Sequence, residues 1–357
     1  MLRNFYNTPF DLTGGIPDSA AMKLQHIYLL TAMLLIGSAS MASAQTINGA
    51  GATFPAPLYQ RWFAEYNKLH PDVQINYQAV GSGSGIKQLI QGVVNFGASD
   101  AAMTDEEIAK VANGVVMLPM TAGSIVLAYN LPDVKELKLS RDVYVGIFLG
   151  TITKWNDDAI KKDNPGVALP DLAITVAYRS DGSGTNFVFT KHLAAISADF
   201  KTKVGEGKSV SWPVGSGGKG NDGVTSLIKQ SPGTIGYVEF GYAKQNALAM
   251  AELQNKSGKF VAPSAKSGAS TLASVEFPDN LRIWPSDPAG AEDYPIATFT
   301  WLLLYGKYDD AKVASTLKDI VKYGVTDGQK FADELGYIPL PDKVVKLVEA
   351  KLAKVQP

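Results

Sequence analysis

From residue 45 onward the apolar positions follow two alternating rhythms. Leu58, Tyr59, Trp62, Phe63 and Tyr66 recur at helical spacing and predict a helix from about Pro55 to Leu69. Pro55 and Pro57 suit its first turn, where a missing N–H costs nothing. Val73, Ile75 and Tyr77 alternate with polar residues and predict a strand. "GSGSG" reads as a turn opening a helix over "IKQLIQGVV", and "VNFGASD" as a short buried strand ending at Asp100. "GSIVLAYNL", Gly123 to Leu131, is a long apolar strand suited to crossing between lobes. Further strands and helices follow through "DVYVGIFLGTITKW" and "LAITVAYRSDGSGTNFVFTKHL". "GSGGKGNDG", Gly215 to Gly223, reads as a loop, either flexible or packed against a closing lobe. Ile296 to Tyr305 is a second long apolar strand. Three amphipathic helices are expected at about 309–323, 327–335 and 341–354, with Gly324 and Gly336 as C-terminal caps and Pro341 as a start. Alternation of this kind is the pattern of an α/β protein.

The chain has 357 residues, more than one compact core usually holds, so two lobes are expected. Their expected limits are 45–129 with 296–357 for the first and 130–295 for the second. Hydrophobic residues make up 46% and charged residues 19%, which fits a soluble globular protein. The formal net charge is -1 and no basic block stands out, so nucleic acid is not an expected partner. The absence of cysteine excludes disulfides, thiolate nucleophiles and a lipid-modified N-terminal cysteine.

Residues 1–44 read as a leader and signal peptide. Lys23 precedes the apolar run Ile27 to Gly37, and "ASA" at Ala42 to Ala44 is a small-residue cleavage pattern that places the mature start at Gln45. The polar stretch 1–21 fits no region of a signal peptide, which makes Met22 a candidate start. The expected product is soluble, without a lipid anchor, in a bacterial periplasm.

Three segments share a strand, a Gly/Ser/Thr turn and a helix: "GAGATFPAP", "VGSGSGIKQ" and "RSDGSGTNF". Glycines let backbone approach a ligand, hydroxyls add donors, and a helix N-terminus adds free N–H groups. Each alone is more often a helix cap, but three together, one carrying Arg179, point to a shared anion site. Arg179 ends an apolar strand, where open α/β sheets bind ligands, and Asp181 is placed to brace it. Asp100 alone reads as a turn or cap residue. Enzyme signatures are sparse. "GKS" at Gly207 to Ser209 lacks the preceding glycine of a phosphate loop, and no G-x-S-x-G elbow occurs. His26, His70 and His192 form no metal-ligand pair, so no catalytic residue, metal or cofactor is assigned.

"GAGATFPAPLY", "QAVGSGSGIKQLIQG", "FGASDAAMTDEE", "RSDGSGTNFVFT", "WPVGSGGKGNDGV" and "GTIGYVEFGYAKQN" resemble, in order, signature segments of the periplasmic phosphate-binding proteins of bacterial phosphate ABC transporters. The resemblance spans essentially 45–357. Residues 1–21 have no counterpart, and Ala262 to Trp284 and the C-terminal tail are less similar. It implies an α/β, two-lobed periplasmic-binding-protein-like fold (type II), with mixed sheets, flanking helices and a hinge. It also implies a monomer that binds inorganic phosphate between the lobes and hands it to the transmembrane subunits of a transporter. The matching motifs would place Thr53, the N–H of Phe54, Ser82, Asp100, Arg179, Ser183, Gly184 and Thr185 on the ligand, with Asp181 behind Arg179. At Ser82 the family often has Gly-Ser-Ser-Gly where this chain has Gly-Ser-Gly-Ser. The alternatives are a secreted phosphatase or other hydrolase with Ser183 or Thr185 as nucleophile, and a binder of another tetrahedral oxyanion.

Overall fold

A computed structural model describes residues 44–273 and 275–357. The expected leader, the apolar run Ile27 to Gly37 and the cleavage pattern up to Ser43 lie outside the described residues.

The first elements are β1 (Gln45–Gly51), α1 (Ala56–Leu69), β2 (Val73–Ala79), α2 (Ser82–Ile90), β3 (Phe96–Ser99), α3 (Asp105–Ile108) and β4 (Val115–Tyr129). After α4 (Arg141–Leu149) come β5 (Thr175–Arg179), α5 (Gly184–Ile196), β6 (Ser216–Gly218), α6 (Gly220–Gln230), β7 (Thr234–Glu239) and α7 (Phe240–Gln245). The chain closes with β8 (Ala297–Tyr305), α8 (Ala311–Val325) and α9 (Asp342–Leu352). The strands order as β2-β1-β3-β8-β4-β7-β5-β6, with Ala249–Met250 also pairing to β4. β1 is parallel to β2 and β3, and β5 is parallel to β6 and β7, while β4 and β8 run antiparallel to their neighbours. The fold is a two-lobed α/β mixed-sheet architecture.

β4 shows how the two halves are joined. Residues 115–124 pair with β8, and from Ile125 the partner becomes β7. One continuous strand therefore belongs to both halves, and its burial on both faces explains its largely apolar sequence. The register of β8 on β4 shifts between Thr300 and Trp301, opposite Pro119. A proline has no N–H for the ladder, so it belongs at such an irregularity.

Each half has its own aromatic core. On the β1–β3 side Phe63 packs edge-on against Tyr77 and Phe96, while Tyr59 stacks on Trp62. On the β5–β7 side Phe189 stacks on Tyr237 and meets Phe148 edge-on.

Four local expectations are corrected. The helix expected from Ile86 begins at Ser82, so the Gly-Ser turn forms its first turn. The segment Gly215 to Gly223 is not a loop but β6 followed by the start of α6. Gly324 does not cap its helix; it lies inside α8 against Trp62 and Met120, and a side chain there would crowd the indole. The single helix expected at 327–335 is a 3-10 turn, Asp327–Phe331, followed by a short helix, Ala332–Leu335. Gly336 does end that helix, at φ 93.

Candidate functional site

The carboxyl ends of β1, β2 and β3 and those of β5 and β6 lead into turns that touch one another, so the site is a buried cleft between the two halves.

After β1 the chain enters Thr53 and Phe54, both buried. Two tyrosines hold this turn by its carbonyls: Tyr242 donates to Thr53 O at 2.6 Å and Tyr337 to Phe54 O at 2.7 Å. The Phe54 N–H has no acceptor among the described residues.

After β2, Gly81 takes φ 94, a conformation open to glycine, and α2 begins at Ser82. A side chain on Gly81 would also overlap the Asp181 carboxylate. Ser82 is fully buried, and its Oγ accepts from the N–H of Asp100 at 3.3 Å and of Gly184 at 3.1 Å. A hydroxyl has two lone pairs and one proton. With both lone pairs engaged, Ser82 has only a proton to offer a ligand.

β3 delivers Asp100, 1% exposed. Its Oδ1 accepts from Thr300 Oγ1 at 2.8 Å, and Thr185 Oγ1 lies 3.5 Å from Oδ2. Burial raises its pKa to about 7, against the lowering influence of the Thr300 hydrogen bond and the Arg179 charge. Thr300 stands at the β8 register shift, a usual place for a bulge that re-aims a side chain.

β5 ends at Arg179, whose side chain is 1% exposed. Nε donates to Asp181 Oδ1 at 2.8 Å and Nη2 to Oδ2 at 2.7 Å, while Nη1 is buried without a partner. Asp181 also accepts from the Gly220 N–H at 3.0 Å. Burial alone would raise Asp181, but the Arg179 hydrogen bonds and charge overcome it and hold its carboxyl below the usual range. Asp181 thus holds one edge of the guanidinium through Nε and Nη2 and leaves Nη1 free. Ser183 caps α5 by accepting from the Asn186 N–H at 3.0 Å, and Gly184 and Thr185 form the first turn.

The structure brings together residues from every expected segment. Ser82 meets Gly184, Thr185 approaches Asp100, and Asp181 packs over Gly81. It also adds residues that the sequence did not single out. Asn221, in the first turn of α6, bonds to Thr53 and Thr185. Thr300 holds Asp100, and its only signal is that it is one of two threonines in the largely apolar run "ATFTWLLLY". Trp284 donates to the Asp100 carbonyl at 3.1 Å and packs against both Phe187 and Trp301. It comes from the segment least similar to the resembled family. Glu239, at the end of β7, caps α7, and burial raises its carboxyl well above the ordinary range. His192 pairs with Tyr144 at 3.0 Å, not with Ser183 or Thr185.

Chemically, the cleft is a set of donors with one exception. Arg179 supplies positive charge, with Asp181 as its counter-ion. Ser82, Thr53 and helix N-termini supply neutral dipoles. Asp100 alone is an acceptor when ionised. Such a cleft suits a small oxyanion that carries a proton.

The PBP superfamily domain matches residues 37–327. The phosphate-binding protein PstS of Pasteurella multocida (strain Pm70) is 41% identical over 327 residues, covering 90% of this chain and 94% of its own. PstS of Haemophilus influenzae is 40% identical over 334 residues, covering 92% and 98%. Among solved structures, the phosphate-bound periplasmic phosphate-binding protein PfluDING superposes with a TM-score of 0.71 at 22% identity, over 86% of this chain and 93% of that one. A phosphate-binding protein from Stenotrophomonas maltophilia gives 0.67 at 20% identity, over 86% and 94%. At that identity the structural likeness speaks for the fold.

Proposed function

We infer, for a chain that belongs to the PBP superfamily and within it to the phosphate-binding protein family, that the cleft captures inorganic phosphate for delivery to a membrane ABC transporter. The observation that carries this reading is the pairing of a buried Arg179 with a free Nη1 and a buried Asp100, the single acceptor in a cleft of donors. Phosphate near neutral pH keeps a proton to give Asp100; sulfate keeps none. A buried charged acceptor facing a proton-less oxyanion is left unpaired, which costs about 1–3 kcal/mol or more, so the acid rejects sulfate.

The geometry supports the following ligand set. Arg179 Nη1 makes the charged contact. Phe54 N–H, Thr185 at the α5 N-terminus, and the hydroxyls of Thr53, Ser82 and Ser183 give the neutral ones, with Gly184 held beside them by its N–H bond to Ser82 Oγ. Asp181 keeps the guanidinium aimed. The lobes are 45–129 with 296–357 and 130–295, and the Ile125 N–H bond to Ile296 O lies near both crossings. Closure around the ion creates the surface a transporter reads. Cross-cleft bonds from Gly83 N–H to Gly182 O and between Glu107 and Lys208 belong to that closed arrangement. The protein acts as a periplasmic monomer and not as an enzyme.

One observation favours a hydrolase as the second reading: Thr185 Oγ1 lies 3.5 Å from an Asp100 carboxyl raised to about 7, the relation of a nucleophile to its base. Calorimetry with inorganic phosphate and a phosphomonoester turnover assay separate the two. Tight one-to-one phosphate binding without turnover supports the transport reading. Turnover abolished by Thr185→Val would replace it.

A further inference from the structure

Asn221 is fully buried, and both its backbone N–H and its side chain are committed. Its side-chain oxygen accepts from the Glu239 N–H at 3.0 Å. A backbone N–H only donates, so the oxygen must lie on that side and the amide nitrogen on the other. That nitrogen donates to Thr53 Oγ1 at 2.9 Å and to Thr185 Oγ1 at 3.4 Å. The Asn221 backbone N–H donates to Thr53 Oγ1 as well, at 3.1 Å. Both lone pairs of the Thr53 hydroxyl are thereby engaged by one residue, and one lone pair of Thr185.

We propose that Asn221 is a positioning residue that sets the direction of the Thr53 hydroxyl, turning its proton toward the bound anion. The proposal rests on the phosphate-binding reading of this cleft. A threonine hydroxyl is otherwise indifferent, able to donate or accept by rotating. With its acceptor sites engaged, it is a fixed donor, which an anion needs and a neutral or cationic ligand does not. Thr53 follows β1 and Asn221 follows β6, so this polarity is completed across the cleft. In an open cleft, with Asn221 withdrawn, the Thr53 hydroxyl is free to turn. Lobe closure then does more than exclude water: it converts a rotatable hydroxyl into a donor at the moment the ligand is enclosed. The backbone serves the same end, because Gly220 takes φ 71 and lies against the Thr53 side chain, which brings the α6 N-terminus close enough for both bonds.

The test compares Asn221→Asp with Asn221→Ala. Aspartate is nearly isosteric and still accepts from the Glu239 N–H, so the structural bond survives. Its second oxygen, however, accepts only, and draws the Thr53 proton away from the ligand. Alanine removes the donor and leaves the hydroxyl free to rotate. Calorimetry of the mature chain with inorganic phosphate at pH 8 is expected to show about a 100-fold weaker Kd for N221D and about tenfold for N221A, the range of a reversed against a lost hydrogen bond. The added carboxylate also repels the anion, a cost that persists in the Thr53→Val background, so the effect on the hydroxyl is the part of the N221D loss that Thr53→Val removes; a residue that merely packs shows no such part. N221A at least as damaging as N221D overturns the proposal, as does N221D within about threefold of the wild type, a change under the roughly 1 kcal/mol of one hydrogen bond. Should N221D not fold, the Thr53→Val background decides. There N221A is expected to cost less than about threefold, and an undiminished tenfold cost refutes the coupling. Failure of the wild type to bind phosphate would instead refute the functional reading.

Discussion

Replacing Asp100 by asparagine inverts one hydrogen-bonding position of the cleft while leaving its volume almost unchanged. Thr300 donates to Oδ1 at 2.8 Å and can donate equally to an amide oxygen, which directs the new NH2 to the place of Oδ2 beside Thr185. The single acceptor becomes a donor. Phosphate then loses a hydrogen bond to a charged group, worth about 1.5–3 kcal/mol, or roughly 10- to 150-fold in Kd. Sulfate, which has only acceptors, gains a partner. The ratio of the two affinities at pH 8 is expected to fall by about 100-fold or more, since a site built on one hydrogen bond can discriminate by roughly 10⁴. The raised pKa of Asp100, about 7, adds a pH signature. Wild-type protein can accept sulfate only with a proton on Asp100. Its sulfate affinity should therefore drop about tenfold per pH unit above 7 and level off below it, while that of D100N stays flat. Calorimetric titration with both ions across pH 5.5–9 is the assay. A phosphate-to-sulfate ratio in D100N within about threefold of wild type, less than one hydrogen bond is worth, would refute the reasoning.

Asp100 also predicts a stability profile. Its folded pKa of about 7 lies above the ordinary 3.8, so the folded protein holds this proton longer than the unfolded chain. The Asp100 contribution to wild-type stability is full below about pH 4 and is lost as pH rises through about 7, whereas D100N has no such loss. Ligand-free D100N should melt higher than wild type at pH 8, with the gap closing toward pH 4. Arg179→Met leaves the half-buried Asp181 without its counter-charge, at about 1–3 kcal/mol of stability. Adding Asp181→Leu should recover the melting temperature but not phosphate binding, which separates the charge that attracts the ion from the acid that braces it. Lys208→Met breaks the half-buried pair with Glu107 at the cleft mouth. Such pairs contribute at most about 1 kcal/mol, so stopped-flow should show phosphate release faster by less than about fivefold.

Much of this protein is written in short stretches of sequence. The helix of Leu58, Trp62 and Tyr66 and the alternating strand of Val73, Ile75 and Tyr77 follow from local periodicity, because burying one face needs no knowledge of the partner. Arg179, Asp181 and the Gly-Ser-Gly-Thr turn are neighbours in the chain, so their joint chemistry is visible there. The helix start at Ser82 was misplaced because glycines and serines lower helix propensity, and only the packing of Gly83 against Gly182 shows why they are tolerated. Gly324 was misread as a cap for a similar reason: its use is to admit Trp62, a contact hundreds of residues away in sequence.

The cleft marks the limit more sharply. Local pattern determines that Thr53, Ser82 and Thr185 carry hydroxyls at helix starts, but a hydroxyl is both donor and acceptor. Which it is depends on what fills its lone pairs, and those partners, Asn221, Gly184 and the Asp100 N–H, arrive from other strands. The pKa of Asp100 likewise depends on burial under Trp284 and beside Thr300, contributed by distant segments. Sequence by itself determined which groups the cleft contains. Tertiary structure alone decided their protonation and the direction of their hydrogen bonds, because both are properties of the surroundings and not of the residue.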